Sequence, residues 1–322
     1  MEQPIKKHLR IGMIGAGAHS SQQHGPALRA LRAAHPDEVE LAVICDLDLA
    51  RAQAYAAQFG FARACTDWRA MLAEESLDGL IAVTPLLRTC AIVGELLPRR
   101  IPLLVEKPPG QTAQEAAELA ALARSTGTAN LVSFNRRFHP AVAAARQWLA
   151  ENARDNPPRL LLARMLRGAR REPDFMTGTG IHAVDTLLSF EPGMPQVSAT
   201  RIAPARPGAA AAWLAQLRFD NGVCANLAVA PDCGRGEETY ELCGADYQVR
   251  IDTVAGNTEV WAGYREVFRW SVAPDAPAEV REGAAGETEH FLRALQGKAA
   301  FSPNLDDALR SMQVAETIAS AK

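Results

Sequence analysis

Long apolar runs are missing from this 322-residue chain. None approaches the about 18 residues that a membrane-spanning helix requires, so no membrane association is expected. An excess of one charge sign is missing too. The chain carries 34 Lys and Arg against 37 Asp and Glu, which leaves no field to gather nucleic acid or an anionic membrane. Cysteine is sparse: Cys45, Cys65, Cys90, Cys224, Cys233 and Cys243 include no Cys-x-x-Cys pair. That argues against a disulfide scaffold or a cysteine zinc centre and fits reduced thiols; no metal is expected. The opening "MEQPIKKHLRIGMIGAG" has no apolar core followed by a cleavage site, because its apolar stretch runs into a glycine turn. A secretory signal is therefore not expected, and the protein is placed in the cytoplasm. Internal repeats and low-complexity tracts are also lacking. What remains is a globular composition, 48% hydrophobic and 22% charged, on a chain long enough for two domains.

The first part alternates short apolar runs with helical patterns. "LRIGMIG" (9–15), "VELAVICD" (39–46), "LDGLIAVTP" (77–85), "IPLLVEK" (101–107) and "ANLVSFN" (129–135) read as strands. Helices are expected over 20–35, 48–60, 67–75, 88–97 and 112–127. Strand–helix units of this length imply right-handed crossovers and a parallel sheet covered on both faces. Beyond about residue 157 the period changes to that of strands, and "FDNGV" (219–223) carries the Asn-Gly signal of a tight hairpin. A loop is expected over 203–212 and a closing helix over 304–321, with Asn304 as its N-cap. The fold class is therefore α/β: an N-terminal Rossmann domain with a doubly wound parallel sheet (1–128), then a C-terminal α+β domain with an open, mostly antiparallel sheet (129–322). The closing helix is expected to return to the first domain.

"GAGAHS" (15–20) joins the first strand to the first helix. Gly15 and Gly17 stand where a dinucleotide fold needs a tight turn and a close backbone approach to a pyrophosphate. Ser20 replaces the third glycine but is small enough for close packing. Alone, the turn is equally an ordinary strand–helix connection. Asp46 ends the second strand, further along than the usual spacing of about 20 residues. A carboxylate there accepts from ribose hydroxyls and repels a 2′-phosphate, which favours NAD over NADP.

"GAGAHSSQQHGPAL", "VICDLDLARAQAYAAQFG", "VTP", "LVEKPPGQT" and "SFNRRFHP" occur in this order. Together they resemble the Gfo/Idh/MocA oxidoreductases over nearly the whole chain. The resemblance implies hydride transfer between a nicotinamide cofactor and a hydroxyl-bearing carbon of a sugar, cyclitol or related polyol. It places Gly15, Gly17, Ala18, His19, Asp46, Thr84, Pro85, Glu106 and Lys107 at the cofactor. Lys107, at the end of a strand, would hold the reacting oxygen, and the Lys107–Pro108 bond is a candidate for the cis isomer. The sheet of the second domain would carry a homodimer or homotetramer interface.

A second family signature, Asp-x-Gly-x-His-x-x-Asp, is only partly present in "FMTGTGIHAVD" (175–185). Gly180, His182 and Asp185 match, but Gly178 stands where the first Asp would be, and Asp174 is the nearby carboxylate. His182 is the expected proton acceptor. Asp185, Asn135 and Arg136 are expected at the substrate. In "TPLLRTC" (84–90), the family's Asn followed by His is lost: Leu86 and Leu87 replace polar character, and Arg88 or Thr89 stands near the expected His. Arg164, Arg167, Arg170 and Arg171 read either as an anion-binding group or as a solvated basic loop. The departures leave two alternatives open: a non-catalytic binding relative, or an enzyme that keeps NAD bound for a redox-assisted elimination.

Overall fold

β1 (Leu9–Ile14), β2 (Val39–Cys45), β3 (Arg63–Cys65), β4 (Gly79–Ala82), β5 (Leu103–Glu106) and β6 (Asn130–Ser133) form one sheet in the order β3-β2-β1-β4-β5-β6. All of its pairings are parallel. The chain reverses direction across the sheet between β1 and β4, which puts a ligand crevice at the carboxyl ends of these strands. The computed structural model describes residues 8–204 and 208–322, so the loop expected over 203–212 lies partly outside the described residues.

Local chemistry sets the helix ends. Asp48 accepts from the Arg51 N–H at 3.1 Å, Asp67 caps Trp68–Glu74, and Thr112 caps Ala113–Thr126. Gly60 and Gly127 close two helices in the left-handed conformation, φ 89° and 68°. The single helix expected over 20–35 is instead two, Ala18–Gln22 and His24–Ala34, broken at Gln23.

Compact units divide at Asn135: one is Met1–Asn135 with Ala278–Leu309, the other Arg136–Pro277 with Arg310–Lys322. The expected boundary was at 128. β6 extends the first sheet beside β5, and a helix that sequence reading missed, Ala284–Leu295, places Phe291 and Leu292 in the core with Leu28 and Leu31. The closing helix, Leu305–Ala319, starts on the first unit, where its Leu305 N–H donates to Asn130 Oδ1 at 2.8 Å. Asn304 caps it, accepting from the N–H groups of Asp306 and Asp307.

The second unit holds an eight-stranded sheet. Its strands are β7 (Leu160–Leu166), β8 (Gln196–Ile202), β9 (Ala212–Arg218), β10 (Cys224–Ala230), β11 (Glu237–Gly244), β12 (Tyr247–Asp252), β13 (Asn257–Ala262) and β14 (Arg265–Ser271). All pairings are antiparallel except β7 with β10. Gly222 at φ 83° makes the turn between β9 and β10, as "FDNGV" predicts. Along β7, Leu161, Ala163 and Met165 are buried and Leu160 and Arg164 exposed, the alternation of a sheet covered on one face only. Helices Pro140–Asn152 and Ile181–Leu188 cover that face.

His139 begins the first of these helices. Its Nδ1 accepts from the Ala141 N–H at 3.1 Å, so protonation would abolish the cap. Burial, with repulsion from Arg136, pushes the imidazole down to about 4, against the pull of Glu238 and Asp252. The unfolded chain therefore binds the extra proton first. Stability from His139 is complete above about pH 6.5 and is lost as pH falls toward 4, at most about 3 kcal/mol. Urea unfolding from pH 7 to 4.5 is expected to show this loss, and His139→Asn, which can still cap, to flatten the slope. An unchanged slope in that variant would remove His139 from the acid response.

Candidate active site

At the carboxyl edge of the first sheet, the backbone leaves β1 through Gly15 at φ +101°. A Cβ there would lie 1.9 Å from the Val83 carbonyl oxygen, so only glycine permits this approach. Over Gly17, by contrast, a Cβ would meet nothing within 4 Å. Ser20, in place of the third glycine, is buried and its Oγ donates to the Tyr55 hydroxyl at 2.9 Å. Asp46 reaches back to the turn: Oδ2 accepts from the Ala16 N–H at 2.8 Å, and Oδ1 from Arg51 Nη2 at 2.7 Å and from the Asp48 N–H at 3.0 Å. Burial opposes its charge, but Arg51 and the two N–H donors outweigh that and hold its carboxyl below the usual range. Arg51 gave no sequence signal for this role.

Thr84 follows β4 and shares a 2.9 Å hydrogen bond with Thr89. Pro85 then opens helix Leu86–Leu96, on which Leu87 is 75% exposed. Glu106 ends β5 buried, with its carboxylate between two imidazoles: His24 Nε2 at 2.9 Å and His19 Nε2 at 3.4 Å. Burial works against its ionisation, yet these contacts hold it well below the ordinary carboxylate range. His19 is correspondingly raised by Glu106, against burial and the nearby Lys107 charge. Lys107 is half-buried, and the Lys107–Pro108 bond is cis. Asn135 donates from Nδ2 to the Glu282 carbonyl at 3.0 Å, while its buried Oδ1 has no hydrogen-bond partner among the described residues.

In the second unit, the π-turn Met176–Gly180 leads into helix Ile181–Leu188, all of whose residues are buried. His182 is 9% exposed. Asp185, expected at a substrate hydroxyl, is instead fully buried and bound within the protein. Arg137 grips it with Nε on Oδ2 at 2.8 Å and Nη2 on Oδ1 at 2.7 Å, and Ser311 Oγ adds 2.9 Å. Arg136 is turned to the buried Glu238, Nε to Oε1 at 3.2 Å, where Arg167 and the Tyr240 hydroxyl also bind. Burial opposes the Glu238 charge, but the two guanidinium groups keep its carboxyl low. A Cβ on Gly178 would stand 3.7 Å from Asp174 Oδ2, so a carboxylate does lie beside the vacant family position. Arg164 is not in a loop but on the exposed face of β7, paired with Glu237, while Arg170 pairs with Glu172 in the loop beyond, which favours the solvated reading for both. Sequence reading brought forward neither His24, Arg137 nor Glu238. Their charged partners lie tens of residues away, so no local spacing marks those pairings.

Residues 9–134 match a family model described as an oxidoreductase family with an NAD-binding Rossmann fold. A dTDP-3,4-didehydro-2,6-dideoxy-alpha-D-glucose 3-reductase from Streptomyces antibioticus is 27% identical, covering 89% of this chain and 93% of its own. A D-xylose 1-dehydrogenase (NADP(+)) from Haloferax volcanii is 26% identical, covering 88% and 84%. Among solved structures, a levoglucosan dehydrogenase in complex with NADH and levoglucosan has a TM-score of 0.82 at 18% identity, covering 97% of this chain and 96% of that one. At that identity the likeness shows the fold. No helix among the described residues is long and apolar enough to cross a membrane.

Proposed function

Because the chain belongs to the Gfo/Idh/MocA family of oxidoreductases, we propose that it oxidises or reduces one hydroxyl-bearing carbon of a sugar, cyclitol or related polyol with NAD as cofactor. The observation that carries this reading is the glycine turn. Gly15 is pressed against the Val83 carbonyl, Gly17 faces open space, and Asp46 is bound to the turn's own Ala16 N–H. That cradle suits a pyrophosphate over Gly17 and a ribose beside Asp46. The bound nicotinamide supplies the hydride acceptor or donor. Gly15, Gly17, Ala18 and His19 surround the phosphates, while Thr84, Pro85, Glu106 and Lys107 extend the cofactor surface along the strand ends.

Lys107 binds the reacting oxygen and His182 takes or returns the hydroxyl proton. Asn135 is the residue we assign to a substrate hydroxyl, which reaches its enclosed Oδ1 only when the amide turns outward. Asp185 with Arg137, and Arg136 with Glu238, serve as internal ion pairs that hold the second unit together rather than as substrate contacts. The uncovered face of the second sheet, with Leu214 52% and Ile202 44% exposed, is the surface we assign to self-association.

Cofactor choice is tested by nicotinamide fluorescence on binding NADH and NADPH. Wild type is expected to prefer NADH. In Asp46→Ala the carboxylate no longer repels a 2′-phosphate and Arg51 loses its partner, so the guanidinium can meet that phosphate. The preference is expected to shift toward NADPH by at least about tenfold, one charge contact's worth. An unshifted ratio would remove Asp46 from the ribose site, and binding of neither nucleotide would overturn the cofactor reading altogether.

A further inference from the structure

We propose that His19, His24 and Glu106 form a binding site for one transition-metal dication of the zinc class. One ligand atom from each lies within 4.8 Å of the other two. Both imidazoles present Nε2 to the same carboxylate, at 3.4 and 2.9 Å. Zinc takes nitrogen and carboxylate oxygen at about 2.0–2.2 Å, which sets tetrahedral ligand atoms about 3.3–3.6 Å apart. The two imidazoles now sit on different oxygens of the carboxylate, Oε1 for His19 and Oε2 for His24, and the three ligand atoms lie within 4.8 Å of one another, so a side-chain adjustment of about 1 Å closes them on one ion. The two rings stand nearly perpendicular, 73°, with centroids 5.9 Å apart, so both can face one ion without stacking.

Two of the three ligands are held by the fold. Glu106 ends a strand buried along its whole length, and the His24 side chain is 3% exposed at the start of an eleven-residue helix. The His19 side chain is 53% exposed. It can swing to close the site and leaves a path by which the ion enters and a water completes the shell. Two imidazoles and one carboxylate select zinc, nickel or copper over magnesium or calcium, which want oxygen donors throughout. Spacing along the chain hides the set, because His24 and Glu106 are 82 residues apart.

The test uses the full chain after treatment with a chelator, without nicotinamide, so its failure leaves the cofactor reading untouched. Zn²⁺ is titrated in competition with a chromogenic chelator, and Co²⁺ is added separately for its absorption spectrum. One equivalent of Zn²⁺ is expected to bind. His19→Gln, at an exposed position, is expected to weaken binding at least tenfold with an unchanged urea unfolding midpoint. Cobalt should give visible ligand-field bands without the near-ultraviolet band of a thiolate. Three results would overturn the site: no stoichiometric binding, equal affinity in His19→Gln, or a thiolate band that places the ion on the cysteines.

Discussion

Lys107→Ala is expected to lower kcat by about 10²–10⁴-fold on the best sugar or cyclitol substrate, the range for losing a positioned acid–base group. The affinity for NADH should move by less than about tenfold, because the largest interaction removed is made with the oxygen that changes charge in the transition state. The position explains why a lysine serves. β5 is buried along its length and delivers Glu106 and Lys107 together at its carboxyl end, the edge at which parallel sheets bind ligands. The Lys107 ammonium lies close enough to oppose the charging of His19. It thus sits among charged groups and belongs to a polar site. An ammonium there can donate to an alkoxide or a carbonyl oxygen equally, which suits either direction of hydride flow. Arginine would keep the charge but not the compact point geometry, so Lys107→Arg should recover less than about a tenth of the lost rate. Stopped-flow NADH formation and nicotinamide fluorescence separate the two effects. A kcat within threefold of wild type in Lys107→Ala would reduce Lys107 to a surface residue at a strand end.

Residues that act through the local backbone were readable from the sequence. Gly15 and Gly17 form the turn because an apolar strand and a helix flank them. Asn304 caps because its Oδ1 accepts the N–H groups of the first turn, and "FDNGV" makes a hairpin because Gly222 takes a positive φ. Periodicity was enough to separate a parallel sheet from an antiparallel one. Three kinds of feature stayed hidden. Short or alanine-rich elements such as β3 and Pro140–Asn152 carry too little periodic contrast. The break at Gln23 is followed closely by Gly25 and Pro26, and Pro26 has no N–H with which to continue the preceding turn, but the helical spacing of apolar residues over 20–35 masked that signal. Pairings across long sequence separations left the deepest gap: Arg137 with Asp185, Arg136 with Glu238, His24 with Glu106. In each, a buried charge is tolerated only because another segment brings it a hydrogen-bonding partner, a guanidinium in the first two cases and an imidazole in the third. Family resemblance placed a carboxylate at residue 185, but only the fold shows that this carboxylate faces inward.

Asp185→Ala separates the two possible duties of that carboxylate. If Asp185 held substrate, its loss would raise KM and leave folding alone. The structure leads to the opposite expectation. Asp185 is 0% exposed and neutralises Arg137, whose side chain is 12% exposed, through two hydrogen bonds of 2.8 and 2.7 Å. Arg146 stands near the same pair. Burial and repulsion from Arg137 already push its guanidinium down to about 10, with Asp185 the group that pulls it back. Truncation would leave the half-buried, mutually repelling Arg137 and Arg146 guanidinium groups without that counter-ion, and would strip Ser311 of its acceptor. Breaking a buried pair in this way costs about 3–5 kcal/mol, a large part of ordinary domain stability. The urea midpoint should fall with an unchanged slope, and KM measured on the remaining native protein should stay within about twofold. Arg137→Met combined with Asp185→Leu removes both charges together, so the double variant should be more stable than Asp185→Ala alone despite carrying more substitutions. That reversal of additivity is the signature of a structural ion pair, because a substrate-binding carboxylate would give no rescue when Arg137 is also replaced. An unchanged urea midpoint with a tenfold rise in KM would return Asp185 to the substrate.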